Sequence, residues 1–126
     1  MKVMIKSIEG NRVEFESPYG SAIGIWEDAI LADKKEFSVE LDIKEVIKYD
    51  DIKLSRINEP KIELNSNGVL ICGMLVEYNA DGYAVLKLGD SLIAIETVFN
   101  EAFPPMCGCY ILLVVSQIYL YDEHLF

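Results

Sequence analysis

The chain has 126 residues, enough for about one domain, and 52% hydrophobic with 25% charged residues predicts a packed core. Its formal net charge is −10, because 21 acidic residues outnumber 11 basic ones. This charge disfavours binding to nucleic acid or to an anionic membrane, since both need clustered Lys and Arg, and it favours a basic protein partner.

The amino-terminal residues lack the apolar core and the cleavage site of a signal peptide. The longest apolar-rich run covers residues 109–121, which is shorter than the roughly 20 residues of a membrane helix. Three cysteines, an odd number, fit a reducing compartment better than a disulfide framework. We therefore expect a cytoplasmic protein.

An alternation of period two dominates the first half of the chain. Residues 12–17 place Val13 and Phe15 on one face and Glu14 and Glu16 on the other. This pattern is typical of half-buried strands, with one face in the core and one in water.

Residues 21–28, SAIGIWED, contain the only tryptophan. Ile23 and Ile25 share one face of the predicted strand, and Trp26 lies on the other. If the isoleucines face the core, Trp26 is exposed beside Glu27 and Asp28 and can anchor a protein partner, because Trp is enriched at binding hot spots. The alternative is the opposite phase, with Trp26 buried.

A second alternating stretch follows at residues 37–43, where apolar side chains share one face and Glu40 and Asp42 lie on the other. Residues 44–57 carry only weak helical signals, so a strand or an irregular link is equally compatible with them. The short polar segment 58–60 is the best linker candidate. It separates residues 1–57 from residues 61–126.

The second half is poor in charge, with one basic and seven acidic residues in 64–126. Residues 69–78 and 83–88 predict a hairpin around the turn NADG. Residues 69–78 and 109–115 are apolar on both faces, which is typical of strands covered on both sides. We expect a second layer or a dimer contact there.

These patterns predict an all-β fold, a small barrel or a two-layer sandwich of about eight to ten mostly antiparallel strands. We expect one compact domain over residues 1–126. The two halves are candidates for a duplication with OB-like architecture, since an ungapped shift of 72 residues aligns seven identities, including Gly10 with Gly82 and Val13 with Val85. Any two β meanders also share such turns.

The cysteines offer little chemistry. Cys107 and Cys109 are closer in sequence than a C-x-x-C pair, and a zinc site would need Cys72 and the only histidine, His124, as well. We assign Gly108 to a turn after the double proline, and we expect Cys109 to begin a strand as a small apolar residue. The prediction is no metal site and no cofactor.

The sequence also offers few residues in positions that catalysis would need. No base is placed beside a Ser or Cys nucleophile, and adjacent carboxylates such as Asp50 and Asp51 point to opposite faces of a strand. The stretch GSAIGIW lacks the lysine of a phosphate-binding loop. We therefore predict no enzyme and no catalytic residues.

The hypothesis is a non-catalytic, acidic protein-binding module, in one form a bacterial immunity-type inhibitor of a basic, nuclease-like toxin. The predicted contact set combines acidic side chains with the tryptophan: Glu14, Glu16, Trp26, Glu27, Asp28, Glu40 and Asp42. The alternative is a self-associating structural module, or an OB-like module for a small ligand or oligonucleotide, with a homodimer contact through the apolar second half.

Overall fold

The computed structural model describes residues 1–28 and 35–123, and across them it forms twelve strands and two short 3₁₀ turns. The first six strands are β1 (Lys2–Glu9), β2 (Arg12–Ser17), β3 (Gly20–Trp26), β4 (Glu36–Asp42), β5 (Val46–Ile47) and β6 (Ile52–Leu54). The others are β7 (Lys61–Asn65), β8 (Gly68–Tyr78), β9 (Tyr83–Leu88), β10 (Ser91–Thr97), β11 (Tyr110–Val115) and β12 (Tyr119–Asp122). The 3₁₀ turns are Tyr49–Asp51 and Pro104–Met106.

The all-β class is confirmed, in the form of a barrel and an open sheet. Strands β1, β2, β3, β12 and β4 close the barrel, in that order. The open sheet has the order β5-β10-β9-β8-β11-β6, with β7 paired to β8. The strand number exceeds the expected range because β5 and β6 are two and three residues long, too short to show a period of two.

The alternation predicted for β2 and β4 is correct. Val13 and Phe15 are fully buried in the barrel, while Glu14 and Glu16 point outward. The outward face of β4 carries Glu40 and Asp42 in the same way. The predicted hairpin also forms, as β8 and β9 joined by a turn in which Gly82 has a φ of 88°.

Each half of the chain donates strands to the other half: the second half gives β12 to the barrel, and the first half gives β5 and β6 to the open sheet. In the barrel the meander β1-β2-β3 has β4 beside β1, and β12 lies parallel to β3. In the open sheet the meander β8-β9-β10 has β11 beside β8, and β5 lies parallel to β10. The topology therefore repeats, and duplication of one five-stranded unit stays a prediction that this repetition supports.

The ungapped alignment by 72 residues does not follow the faces of the strands. It pairs Val13, which is buried, with Val85, which is half-buried on an outward face. In the structure Phe15 and Leu86 hold equivalent places, because Phe15 lies opposite Ala22 in β3 and Leu86 lies opposite Ile93 in β10. A one-residue slip inverts every side chain of a strand, so the identity of Val13 with Val85 is out of phase.

One buried apolar cluster joins the barrel to the open sheet. The inward faces of β8 and β11 contribute fully buried side chains such as Ile71 and Ile111. The opposite face of these two strands is half-buried at Leu70 and Leu112. The strands β8 and β11 are therefore fully covered on one face and only partly covered on the other.

Candidate functional site

Trp26 lies inside the barrel, so the expectation of an exposed indole is wrong. Its exposed fraction is 3%, and its ring packs edge-to-face on Phe37 with centroids 4.6 Å apart. The phase of β3 is set by pairing with β2, where the large inward Phe15 lies opposite Ala22. Cross-strand neighbours share a face, so Ala22 and Trp26 turn inward together.

Small residues in β3 leave room for the donated strand. A Cβ atom at Gly24 would collide with the side chain of Leu120 in β12, which is itself fully buried. The isoleucines that were expected inside, Ile23 and Ile25, are half-buried on the outer face. Leu120 of β12 thus packs inside the barrel against Gly24, and Trp26 is buried in the same interior.

The predicted acidic contact set does not form one surface. Glu14 and Glu16 lie on β2, where Ser7 donates a hydrogen bond to Glu14 (3.2 Å) and Lys6 forms an ion pair with Glu16 (3.1 Å). In the barrel β1 lies between β2 and β4, so these carboxylates are one strand removed from those on β4.

Glu27 and Asp28, which follow the end of β3, each contact another segment of the chain. Lys44 Nζ lies 2.6 Å from Glu27 Oε1 and 4.1 Å from the centroid of the Tyr119 ring. The hydrogen bond to Glu27 raises the pKa of Lys44 above its ordinary value. Asp28 Oδ2 accepts a hydrogen bond from the backbone N–H of Asp122 (2.7 Å). Both carboxylates therefore have structural partners.

Glu40 and Asp42 line a cleft between the barrel and the open sheet. The cleft has a volume of about 380 Å³, and Leu92 and Ala94 of β10 form its opposite wall. Leu92 is 63% exposed, the largest exposed fraction among the large hydrophobic residues described. This is the part of the predicted set that lies beside an apolar surface.

A larger groove lies on the outer face of β6, β11, β8 and β7. Direct neighbours in these strands are Lys53, Leu112, Cys72 and Lys61, so they form one row on one face. The row places a lysine at each end and apolar side chains in the middle. Leu70 lies two residues before Cys72 in β8, on the same face, and extends the apolar floor.

The segment joining β6 to β7, residues 55–60, crosses over this face, and we call it the arch. The two strands lie three strand spacings apart, about 14 Å. Seven Cα–Cα steps from Leu54 to Lys61 can span up to about 24 Å, so the arch has length to rise above the floor. Ser55 Oγ accepts a hydrogen bond from Ile57 N (3.1 Å) and donates one to Ile57 O (2.8 Å).

The groove beneath and beside the arch has a volume of about 670 Å³, with Leu70, Cys72 and Leu112 on its floor. Its basic side chains are Lys53, Arg56 and Lys61, and its acidic one is Glu59. A surface with more bases than acids is unusual in a chain of net charge −10. The groove can therefore offer apolar contact and positive charge together.

Sequence reasoning recognised parts of the groove without joining them. The apolar character of β8 and β11 on both faces was one signal, and the polar linker at 58–60 was another. Only the strand order shows that this linker passes over that apolar face. The lysines stood on two predicted segments with no visible relation to each other.

The cysteines occupy separate places. Cys107 (φ −58°, ψ 130°) and Gly108 (φ 91°) form a tight turn in which Cys109 N–H bonds to Met106 O at 2.9 Å, so the assignment of Gly108 to a turn is correct. Cys109 directly precedes β11 and its carbonyl accepts a hydrogen bond from Leu75 N–H of β8 (2.9 Å), so its expected place at the start of the strand is correct to within one residue. Its side chain is exposed, so the expected apolar role is wrong. Cys72 lies in the groove floor, with Sγ 3.9 Å from Ile57 O.

Over the part of the chain that the structure describes, no group of three His, Cys, Asp or Glu side chains is placed to hold a metal ion. His124 lies outside the described residues. In that same part, no helix has the length and the apolar character needed to cross a membrane. Comparisons with protein-family models, with curated proteins and with solved structures give no match for this chain.

Proposed function

We propose that the chain is a non-catalytic binding module that holds a small ligand in the groove beside the arch. The observation that carries this proposal is the row from Lys53 through Leu112 and Cys72 to Lys61, which the arch meets at Cys72 and along which a groove of about 670 Å³ remains. Ligand sites are typically concave, mostly apolar and about 300–1,000 Å³ in volume, with a few polar groups that fix orientation. The groove combines these properties.

Fragment screening by NMR tests this proposal. We expect small organic compounds to shift the backbone amide signals of β8 and β11, and Leu112→Trp to abolish the shifts by filling the groove. Val114→Trp is the matched control, because Val114 lies on the same half-buried face of β11 but does not line the groove. Shifts that are confined to other surfaces, or that survive Leu112→Trp, would refute the assignment.

A second candidate function is the predicted recognition of a basic protein, such as a toxin. The observation that favours it is the cleft in which Glu40 and Asp42 lie beside the exposed Leu92. Charged partners steer association through such surfaces, and the effect weakens over a screening length of about 8 Å at physiological salt.

A pull-down at low and physiological salt tests this candidate with two variants of equal charge. Glu40→Gln with Asp42→Asn is expected to release a basic partner, while Glu14→Gln with Glu16→Gln, on β2, is expected to retain it. Recovery of no basic protein at low salt would reject the candidate. A salt-insensitive homodimer in light scattering would favour the self-associating alternative instead.

A further inference from the structure

We infer that the ligand of the groove is an amphipathic anion, an aliphatic chain ending in a carboxylate, with its head at the β6 side of the groove. This inference rests on the proposed function and adds the chemical class and the direction of the ligand. It depends on how the charges around the apolar floor are paired.

The positive charges of the groove are not equivalent. Lys61 Nζ forms an ion pair with Glu63 Oε2 at 3.1 Å, so the β7 side is neutralised. Lys53 and Arg56, at the β6 side, form no ion pair with any residue that the structure describes. Among the described basic side chains that form no ion pair, Lys53 and Arg56 are the two that line the groove.

The side chains of Lys53 and Arg56 suit a carboxylate. A guanidinium group binds a carboxylate through a planar pair of hydrogen bonds, and an ammonium group adds a compact charge. Both side chains are exposed, so an incoming head group does not need to displace an internal partner. The anion therefore has its place at the β6 end of the row.

The rest of the ligand must be apolar and narrow. From Lys53 the row continues over Leu112 and Cys72, which offer no charge and little hydrogen bonding. The arch meets this floor at Cys72, which is buried and has its Sγ 3.9 Å from Ile57 O. The ligand chain must therefore lie beside the arch, over Leu70 and Leu112, where an unbranched aliphatic chain fits and each methylene that it buries tightens binding by about fourfold.

Titration with three probes of equal chain length tests the inference: decanoate, decanol and decyltrimethylammonium, each below its micellar concentration. We expect decanoate to bind tightest and decyltrimethylammonium weakest. Lys53→Gln with Arg56→Gln should lower the affinity for decanoate by about 2- to 30-fold, as expected for two exposed ion pairs, and leave decanol unchanged. The preference for decanoate should also shrink as salt is raised.

A matched variant controls for the change in net charge. Lys2→Gln with Lys87→Gln removes two exposed lysines that do not line the groove, and it should leave the preference for decanoate intact. Equal binding of decanoate and decanol, or loss of the preference in both double variants, would overturn the inference.

The two proposals fail in different ways. If decanol binds as well as decanoate and Leu112→Trp blocks both, the groove remains a ligand site and only the anionic head is refuted. If none of the three probes binds although fragments do, the aliphatic anion is refuted and the proposed function stands. If neither the fragments nor the probes bind, both are refuted.

Discussion

The burial of Trp26 predicts that this residue stabilises the fold instead of anchoring a partner. Trp26→Ala removes an indole that is 3% exposed and its edge-to-face contact with Phe37. Substitutions of this kind cost about 3–5 kcal/mol through lost burial and the cavity left behind. A chain of 126 residues has a total free energy of unfolding of about 6–19 kcal/mol, so the loss is a large share of it.

Trp26→Phe is the matched control for this prediction. The indole Nε1 is buried without a hydrogen-bond partner in the described part of the chain. An unsatisfied buried donor costs about 1–3 kcal/mol, and phenylalanine removes it while it keeps an aromatic ring against Phe37. The gain offsets the smaller ring, so we expect a change within about 1.5 kcal/mol.

Urea unfolding followed by circular dichroism measures both variants. With a slope of about 2 kcal/mol/M, Trp26→Ala should lower the midpoint by about 1.5–2.5 M. The fluorescence of the only tryptophan gives an independent reading in the wild type, which should resist quenching by iodide until the protein unfolds. An unchanged midpoint for Trp26→Ala, together with native fluorescence that iodide quenches, would refute the burial of the indole.

Two further predictions concern close contacts in the two sheets. Gly20→Ala should destabilise by at least about 2 kcal/mol, because Gly20 has a φ of 133° and an added Cβ would overlap the carbonyl oxygen of Ile62; an unchanged urea midpoint would show that the barrel does not meet β7 there. Thr97→Val should cost about 1–2 kcal/mol in the same assay, since the Thr97 hydroxyl donates to Gly82 O (2.6 Å) and lies 2.8 Å from Tyr78 Oη. A stability gain in Thr97→Val would contradict this reading of the hydroxyl as a bonded group.

The sequence was sufficient where one face of a strand is polar. In β2 the inward Phe15 and the outward Glu14 and Glu16 were predicted correctly, because a period of two leaves only one phase compatible with water. The same argument identified the outward face of β4. All-β character and the hairpin of β8 and β9 followed from these patterns and from the turn residues.

The sequence was insufficient where both faces of a strand are apolar. In β3 the pattern alone cannot choose between Ile23 and Trp26 as the inward residue, because either phase buries large side chains. The choice depends on β2, which supplies Phe15 opposite Ala22, and on β12, which places Leu120 against Gly24. The first contact depends on the exact register of the β2–β3 hairpin, and the second joins residues 96 positions apart, so neither is visible in the pattern of β3 itself.

The groove was beyond prediction for a related reason. Lys53 and Lys61 are eight residues apart on either side of the predicted linker 58–60, yet they lie at opposite ends of a four-strand row. Their relation is created by β8 and β11, which are inserted between them in space and follow them in the chain. The position of the arch over this face likewise depends on strand order, which composition does not encode.

The donation of β12 to the barrel affects the order in which the protein can be completed during synthesis. The hydrogen bond between Asp122 and Asp28 joins residues 94 positions apart, so the barrel cannot close until translation has passed Asp122. Until then β3 and β4 present unpaired backbone edges, which are the sites at which nascent β proteins associate wrongly. Strand β12 thus completes the barrel, and a ribosome that pauses before Tyr119 holds a chain in which β3 and β4 are still unpaired on one side.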